Sequence, residues 1–201
     1  MEKDLKSRQR ILQYAQEQFA TVGYSKVSLA QFAADLKMSK STFYKHFASK
    51  EELLFAVIDD FYDAFEREVR GIVQDERNDV VGKMRTFLLL VRKRFGRLHV
   101  SVVEDVRRAV PEAYARIEER RKRVITGTLV GLFEQGAEDG LFRSDIPPIV
   151  VANVLLQAVQ HVEHPDVADG MPYPFADLFH QVFSIVMEGS LSERGRARFR
   201  D

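Results

Sequence analysis

The sequence predicts an all-α fold, in which an N-terminal three-helix domain with a helix-turn-helix is fused to a larger C-terminal helical domain, with about nine helices in total. Apolar residues recur at spacings of three and four along most of the chain, as they do on one face of a helix. Near the N-terminus, serine residues with capping partners mark successive helix starts. No repeat, heptad array or low-complexity segment stands out.

An apolar stripe predicts the first helix over residues 7–22, and Gly23 ends it. The stripe consists of Ile11, Leu12, Ala15, Phe19 and Val22. We expect this helix to pack behind the helices that follow it.

Three further helix starts follow in close succession. Ser28 and Gln31 form a capping box, in which the serine hydroxyl accepts a backbone N–H and the glutamine amide reaches back to the Ser28 N–H. Ser39 begins the next helix and Ser49 begins a third. The helix that begins at Ser28 must end near Leu36, because only two residues then remain before Ser39. This spacing predicts a helix-turn-helix.

The second helix of this motif, residues 40–46, combines an apolar inner face with a polar outer face. Phe43 and Phe47 lie four residues apart and face inward. The outward side chains offer hydroxyl groups and cations, and they are Lys40, Ser41, Thr42, Tyr44, Lys45 and His46. A solvated helix face of an ordinary helical domain is the alternative. Three tandem helix starts around a basic, hydroxyl-rich turn favour contacts with DNA phosphates and base edges.

The charge distribution supports a nucleic-acid partner, although the formal net charge of the chain is zero. Residues 1–50 contain nine Lys or Arg residues and four Asp or Glu residues. The acidic excess therefore lies in residues 51–201. A basic N-terminal segment on an acidic body is typical of a protein that presents one end to DNA.

Residues 39–54, SKSTFYKHFASKEELL, resemble the signature of the TetR family of bacterial transcriptional regulators, and Ser28, Phe32 and Ala33 match the first helix of its helix-turn-helix. The resemblance covers about the first quarter of the chain, and the remainder is similar only in helix count and length. It implies phosphate contacts from Tyr44, His46 and Lys50. It also implies base or near-base contacts from Lys40, Ser41 and Thr42 in the first turn of the recognition helix. We further include Ser28, Ser39 and Lys45 among the candidate DNA-contacting residues.

Two positions depart from the family pattern. Leu36 and Lys37 stand in the turn where the family usually has Ala-Gly, and Ser41 stands where the recognition helix usually has Gly. If the backbone needs a positive φ at Lys37, the side chain costs about 1 kcal/mol relative to glycine. We expect Ser41 to change which bases are contacted rather than to remove a DNA contact.

The boundaries that we predict are a DNA-binding domain at residues 1–50, an effector-binding and dimerisation domain at residues 51–189, and a disordered tail at residues 190–201. The helices predicted in the larger domain cover residues 49–73, 80–98, 100–110, 112–139, 147–162 and 175–188. The first of these helices begins in the DNA-binding domain and ends in the larger domain, so a tilt of this helix could transmit a movement from one domain to the other.

The last two helices of the larger domain carry more apolar surface than a monomer would hide. A four-helix interface with a second copy of the chain would cover it, and the resemblance implies such a homodimer. The alternative is that both are interior helices of a monomer. The interface residues that we predict are Val151, Leu155, Val159, Phe175, Leu178, Phe179, Val182, Phe183 and Val186.

The resemblance also implies an effector cavity among the middle helices of the larger domain. Residues that combine aromatic walls with a few polar groups suit such a cavity. They are Phe87, Val91, Phe95, His99, Val103, Tyr114, Phe133, Gln157 and His161. For each residue singly, ordinary core packing is the alternative.

The sequence gives little support for an enzyme, a metal-binding protein or a membrane protein. There is no cysteine, no phosphate-binding glycine loop and no HExxH motif, so we expect neither an enzyme nor a cofactor. His161 and His164 are three residues apart and could share a metal, but we predict none. No signal peptide and no apolar run of about 20 residues is present, so we expect a soluble cytoplasmic protein without a membrane contact.

The function that the sequence favours is a homodimeric repressor of the TetR type, released from a palindromic operator in double-stranded DNA by an unidentified small-molecule effector. Its two DNA-binding domains would occupy successive major grooves about 34 to 36 Å apart. One alternative is a helical small-molecule-binding module that has lost DNA binding. A second alternative is an enzyme that uses the cavity.

Overall fold

The computed structural model describes residues 2–162 and 174–200. Within these ranges the chain forms eleven α-helices and one π-helical turn, and no strand is present there. The helices are α1 (Glu2–Thr21), α2 (Leu29–Asp35), α3 (Lys40–His46), α4 (Lys50–Val73), α5 (Val80–Phe95), α6 (Val100–Ala109), α7 (Pro111–Val124), α8 (Val130–Glu138), α9 (Pro148–Val162), α10 (Phe175–Ser190) and α11 (Glu193–Arg200). The predicted all-α fold with an N-terminal helix-turn-helix is confirmed. Below, the head is residues 2–50 and the body is the described remainder.

Serine N-caps start α2, α3 and α4, as predicted. The hydroxyl groups of Ser28, Ser39 and Ser49 accept the backbone N–H three residues later at 3.0–3.2 Å. Gln31 does not close the capping box, because its side-chain amide instead donates to Asp35 Oδ1 at 2.7 Å. These caps satisfy backbone donors that a helix N-terminus would otherwise leave unpaired.

The predicted long helix over residues 112–139 is a continuous rod with one irregularity. Pro111 occupies its first turn, as its missing N–H allows. The π-helical turn, Ile125–Leu129, joins α7 to α8 without a break in the helical path. Ile125 and Leu129 of this turn are buried in the core.

The C-terminal tail is ordered, so the prediction of a disordered segment at residues 190–201 was wrong for its described part. Leu191 is buried, and α11 follows it directly. Gly195 lies so close to the chain that a Cβ there would be 2.0 Å from the Leu141 carbonyl oxygen. Arg198 donates to Asp79 Oδ2 at 2.9 Å. The polar composition of the tail could not predict these contacts, because they involve residues that are distant in the sequence.

Helix α4 joins the head to the body. Its buried residues run from Leu53 to Val69 and belong to one core cluster that is continuous through both parts. On its other side it is paired with α7, where Arg116 donates to Asp59 Oδ2 at 2.7 Å and Arg120 donates to Asp63. Helix α4 thus contacts the core of the head, the core of the body and α7.

None of the helices in the described ranges has both the length and the apolar character that a membrane-spanning segment requires.

Candidate nucleic-acid interface and cavity

Helix α3 presents the polar face that the sequence predicts. Phe43 and Phe47 are buried in the core of the head. The opposite face is exposed and consists of Lys40, Ser41, Thr42, Tyr44 and Lys45. Its cations and hydroxyl groups are free of the chain's own packing, so a phosphate-lined groove could approach them.

Three hydroxyl groups meet at the start of α3. Ser39 Oγ lies 3.0 Å from Ser41 Oγ and 2.8 Å from Thr42 Oγ1. Ser39 and Ser28 also cap their helices, so both hydroxyls already accept a backbone N–H. Ser41 and Thr42 can donate to base edges or phosphates with less disturbance of the fold.

His46 does not lie on the exposed face of α3, and its predicted phosphate contact stays a prediction. Its side chain is only 6% exposed, and its Nε2 lies 3.5 Å from Asp4 Oδ1 of α1. The last turn of α3 rotates this imidazole toward α1. It therefore connects two helices of the head.

The turn of the helix-turn-helix has the backbone strain that the missing glycine implies. Lys37 has φ +54°, in the left-handed region. Its N–H donates to the Ala34 carbonyl at 3.0 Å, and the Met38 N–H donates to the Ala33 carbonyl at 2.8 Å. These hydrogen bonds hold a conformation that glycine adopts at about 1 kcal/mol lower cost.

A short hydrogen bond attaches α1 to the end of α2. The Tyr14 hydroxyl donates to Asp35 Oδ2 at 2.5 Å. This bond raises the pKa of Tyr14 to about 12 and lowers the pKa of Asp35. Because the Tyr14 ring also packs edge-on against Phe32, α2 is held to α1 by both an apolar and a polar contact.

The head is also bonded to α6 of the body. Asp105 Oδ2 accepts the backbone N–H of Ser25 at 2.8 Å, and its Oδ1 accepts the Ser25 hydroxyl. Beside it, Lys50 Nζ lies 4.2 Å from the centroid of the Tyr24 ring. Burial lowers the pKa of Lys50, while the charge of Asp105 opposes this shift. Lys50 thus lies in the contact between head and body, and its predicted phosphate contact stays a prediction.

A cavity of about 640 Å³ lies between α1, α4, α6, α7 and the C-terminal end of α5. Its apolar wall consists of Phe19, Leu54, Val57, Ile58, Phe61, Phe95, Val102, Val103, Val106 and Ile117. Its charged lining consists of Glu17, Arg92, Lys93, Arg94, Arg97 and Arg121. A volume of this size suits a small organic ligand.

Only part of the predicted effector site lines this cavity. Phe95 and Val103 do so, and Phe87, Val91 and Phe95 line a smaller cavity of about 30 Å³. The larger cavity lies beside α1 rather than among α5, α8 and α9, so the other predicted residues do not line it, and their role in effector binding stays a prediction. Of the other predicted residues, His99 is the exposed N-cap of α6, Tyr114 is half-buried, Phe133 packs on Phe142, and Gln157 and His161 are exposed on α9.

Arg121 lines both cavities. Its side chain is 8% exposed, and its Nη1 donates to Glu118 Oε1 at 2.6 Å. Its position could have been found from the sequence, since Ile117, Arg121 and Val124 share spacings of four and three.

The structure buries most of the predicted dimer interface within its own chain, and the interface itself stays a prediction. Seven of its members are buried in the core of their own chain: Val151, Leu155, Val159, Phe175, Leu178, Phe179 and Phe183. Val182 and Val186 are half-buried. The large apolar side chains that α9 and α10 expose are instead Ile149, Val150, Val154 and Ile185.

No cluster of three or more His, Cys, Asp or Glu side chains with metal-binding geometry occurs in the part of the chain that the structure describes. The hypothesis of a metal shared by His161 and His164 concerns a residue, His164, that lies outside the described ranges.

Comparison with known proteins agrees with this architecture. Residues 11–57 match the family described as bacterial regulatory proteins, tetR family. The chain is 30% identical over 117 residues to the HTH-type transcriptional regulator TcmR of Streptomyces glaucescens, a match that covers 57% of this chain and 49% of TcmR. It is 27% identical over 143 residues to the HTH-type transcriptional repressor KstR2 of Mycobacterium tuberculosis, covering 69% of this chain and 70% of KstR2. The chain thus spans about half the length of TcmR.

The fold has solved counterparts over nearly its whole length. A transcriptional regulator from Cytophaga hutchinsonii superposes with a TM-score of 0.69 at 20% identity, covering 92% of this chain and 98% of that one. The family match lies on the helix-turn-helix, where the capped turns and the exposed face of α3 occur, and the remaining helices follow the same fold. Residues 11–57 thus match the tetR family of bacterial regulatory proteins, and the chain as a whole shares the fold of the solved regulator.

Proposed function

We propose that the protein is a DNA-binding transcriptional regulator that represses its target genes as a homodimer and leaves its operator when a small molecule occupies the cavity. The observation that carries this proposal is the exposed face of α3. A short helix held by its own caps presents cations, hydroxyl groups and a half-exposed tyrosine on a basic head. KstR2 is named a transcriptional repressor, which supports the sign of regulation.

The exposed side chains divide into two roles. Lys40, Ser41 and Thr42 lie in the first turn of α3 and would contact base edges in the major groove. Tyr44 and Lys45 lie further along the same face and would contact phosphates, which position the helix without reading the sequence.

A second copy of the chain would place two heads on a palindromic operator. The exposed apolar side chains of α9 and α10 supply a surface for it, namely Ile149, Val150, Val154 and Ile185. Burial of these side chains against the same face of a second copy would stabilise a dimer by removing apolar surface from water.

The cavity would connect a ligand to the head. Its walls include α1 and α4, which belong to or support the head, and α6, which carries Asp105. A ligand that prefers one arrangement of these helices would change the separation of the two heads in the dimer, and a ligand without such a preference would change nothing.

Selection of bound fragments from genomic DNA with the purified chain tests the proposal. We expect enrichment of a palindromic sequence, and an affinity for it that falls steeply between low and high salt because phosphate contacts release counterions. Failure to enrich any sequence, together with a flat salt dependence, would favour the alternative of a ligand-binding module without DNA affinity.

A further inference from the structure

The lining of the cavity is divided between an apolar wall and a basic end. Residues of α4 and α6 supply the apolar wall, while the last turn of α5 and the residues after it supply Arg92, Lys93, Arg94 and Arg97. Lys93 and Arg97 are 72% and 82% exposed, so this end of the cavity meets solvent. A ligand in it would have one end in water and the other against hydrocarbon.

The charges at the basic end are not balanced by neighbouring carboxylates. Glu68 pairs with both Lys93 and Arg94, and Glu17 pairs with Arg97. Three cations therefore share two carboxylates, and Arg92, which also lines a neighbouring cavity with Asp177, forms no salt bridge with another described residue. A positive excess next to an apolar wall favours an anionic ligand over a neutral or cationic one.

Arg94 also has a donor without an acceptor. Its guanidinium pairs with Glu68, but its Nε is buried and has no hydrogen-bond partner among the described residues. Buried donors of this kind are rare, because the lost hydrogen bond to water is not replaced. An oxygen atom of a ligand in the cavity would supply the missing acceptor.

The buried end of the cavity lacks this excess. Arg121 is paired with Glu118, and Glu118 in turn accepts a hydrogen bond from Gln160. The charge of Arg121 is therefore compensated within the protein, and no ligand anion is needed to pair with it. Moving a carboxylate to this depth would also remove it from water, which is unfavourable without a new partner.

We propose that the cavity binds an amphipathic organic acid, with its carboxylate at Arg94 and Arg97 and its apolar body against α4 and α6. The regulatory role of this ligand rests on the proposed function, whereas the binding chemistry does not. The ligand would keep its charge at the solvent-exposed end and bury its hydrocarbon, as amphipathic groups do at protein surfaces.

Calorimetric titration of the full chain with decanoate, decanol and decylamine, each below its micelle concentration, tests the ligand class. We expect decanoate to bind one molecule per chain, and the alcohol and the amine to bind about tenfold more weakly or worse. Equal binding of all three, preference for the amine, or no binding of decanoate would overturn the proposal.

Two variants locate the carboxylate. Arg94→Gln and Arg97→Gln should each weaken decanoate binding about tenfold while leaving decanol binding unchanged. Arg77→Gln, an exposed arginine outside the cavity, is the matched control and should leave both unchanged. Thermal unfolding of each variant verifies its fold. Unchanged decanoate binding by both cavity variants would contradict the placement.

The DNA-binding assay keeps the two proposals separate. If decanoate binds selectively but the ligand-free chain enriches no DNA sequence, the ligand class stands and the regulatory function fails. If the chain binds an operator but shows no preference for the acid, the function stands and the ligand class fails.

Discussion

Asp105 of α6 accepts both the backbone N–H and the hydroxyl of Ser25, which lies 80 positions earlier in the loop between α1 and α2. The neighbouring Gly23 has φ +98°, and a Cβ there would lie 3.1 Å from Asp105 Oδ2. Glycine at position 23 therefore allows both the positive φ of the backbone and the close approach of α6. On the same helix, Val102, Val103 and Val106 line the cavity. One helix thus contacts both the ligand-sized space and the head.

Replacement of Asp105 by alanine should weaken the communication between cavity and head. The loss of two hydrogen bonds to a charged acceptor should lower the free energy of unfolding by about 1–3 kcal/mol. We expect DNA binding to persist but to respond less to a bound ligand, as measured by operator affinity with and without decanoate.

Glu134→Ala removes an exposed carboxylate on α8 and serves as the control for this variant. If Asp105→Ala and Glu134→Ala show the same ligand response as the unaltered chain, the contact with Ser25 is structural only.

Thr42→Ala should change sequence preference. Thr42 is exposed in the first turn of α3 and lies against Ser39, so its removal leaves the core of the head intact. A lost base contact should reduce discrimination at one base-pair position by about 1–3 kcal/mol. Repeating the fragment selection with the variant measures this. A uniform loss of affinity over all sequences would show that Thr42 reads no base.

Lys45→Ala should weaken binding to every sequence alike. Lys45 is exposed on the same face of α3, and one lost phosphate contact should reduce the slope of log affinity against log salt by about one. Lys122→Ala, an exposed lysine of α7, should leave the slope unchanged. Lys50→Ala should change it less than Lys45→Ala, because the Lys50 ammonium lies over Tyr24. An unchanged slope for Lys45→Ala would remove it from the interface.

Acid should destabilise the protein by weakening the contacts of Asp79 with α5 and α11. Asp79 caps α5 by accepting the Gly82 N–H at 2.8 Å and pairs with Arg198, and these contacts lower its pKa below 3.8. A lowered pKa contributes stability that is present above 3.8 and lost as the pH falls through the folded-state value. Thermal unfolding between about pH 2 and pH 6 measures the loss.

Two substitutions at the same position separate the cap from the ion pair. Asp79→Asn retains an acceptor for the cap and should remove the acid-dependent part of the stability. Asp79→Ala should in addition lower the free energy of unfolding by about 1 kcal/mol at neutral pH. Identical pH profiles for the unaltered chain and Asp79→Asn would assign the acid sensitivity to other groups.

Local signals made the helix-turn-helix predictable. The bounds of α3, Lys40–His46, follow from Ser39 and from the inward spacing of Phe43 and Phe47. The positive φ of Lys37 lies at the turn position where the family usually has glycine. Each of these features depends on residues within about one turn of helix, and capping and turn chemistry act at that distance.

The features that the sequence did not reveal depend on residues distant in the chain. The contact of Asp105 with Ser25 crosses 80 positions, and Gly195 is enclosed by Leu141. Helix α9 is apolar on several faces, so its pattern could not distinguish the face against α10 from the face in solvent. This is why Leu155 was assigned to the interface while Val154, one position earlier, is the exposed residue.

Ile185→Glu should prevent dimerisation. Ile185 is 72% exposed on α10, so the substitution leaves the core of the monomer unchanged. In a symmetric dimer it would bring two carboxylates into an apolar interface, and we expect dimer affinity to fall on the order of a hundredfold or more. Analytical ultracentrifugation measures the change. Operator affinity should fall with it, because each head would then bind its half-site alone.

Leu89→Glu is the matched control, since Leu89 is a similarly exposed apolar residue that lies on α5 rather than on α9 or α10. If Leu89→Glu disrupts the dimer and Ile185→Glu does not, the second copy covers α5 instead. If neither substitution changes the mass in solution, the exposed apolar residues of α9 and α10 are not covered by a second copy, and the paired-head arrangement on a palindromic operator loses its structural basis.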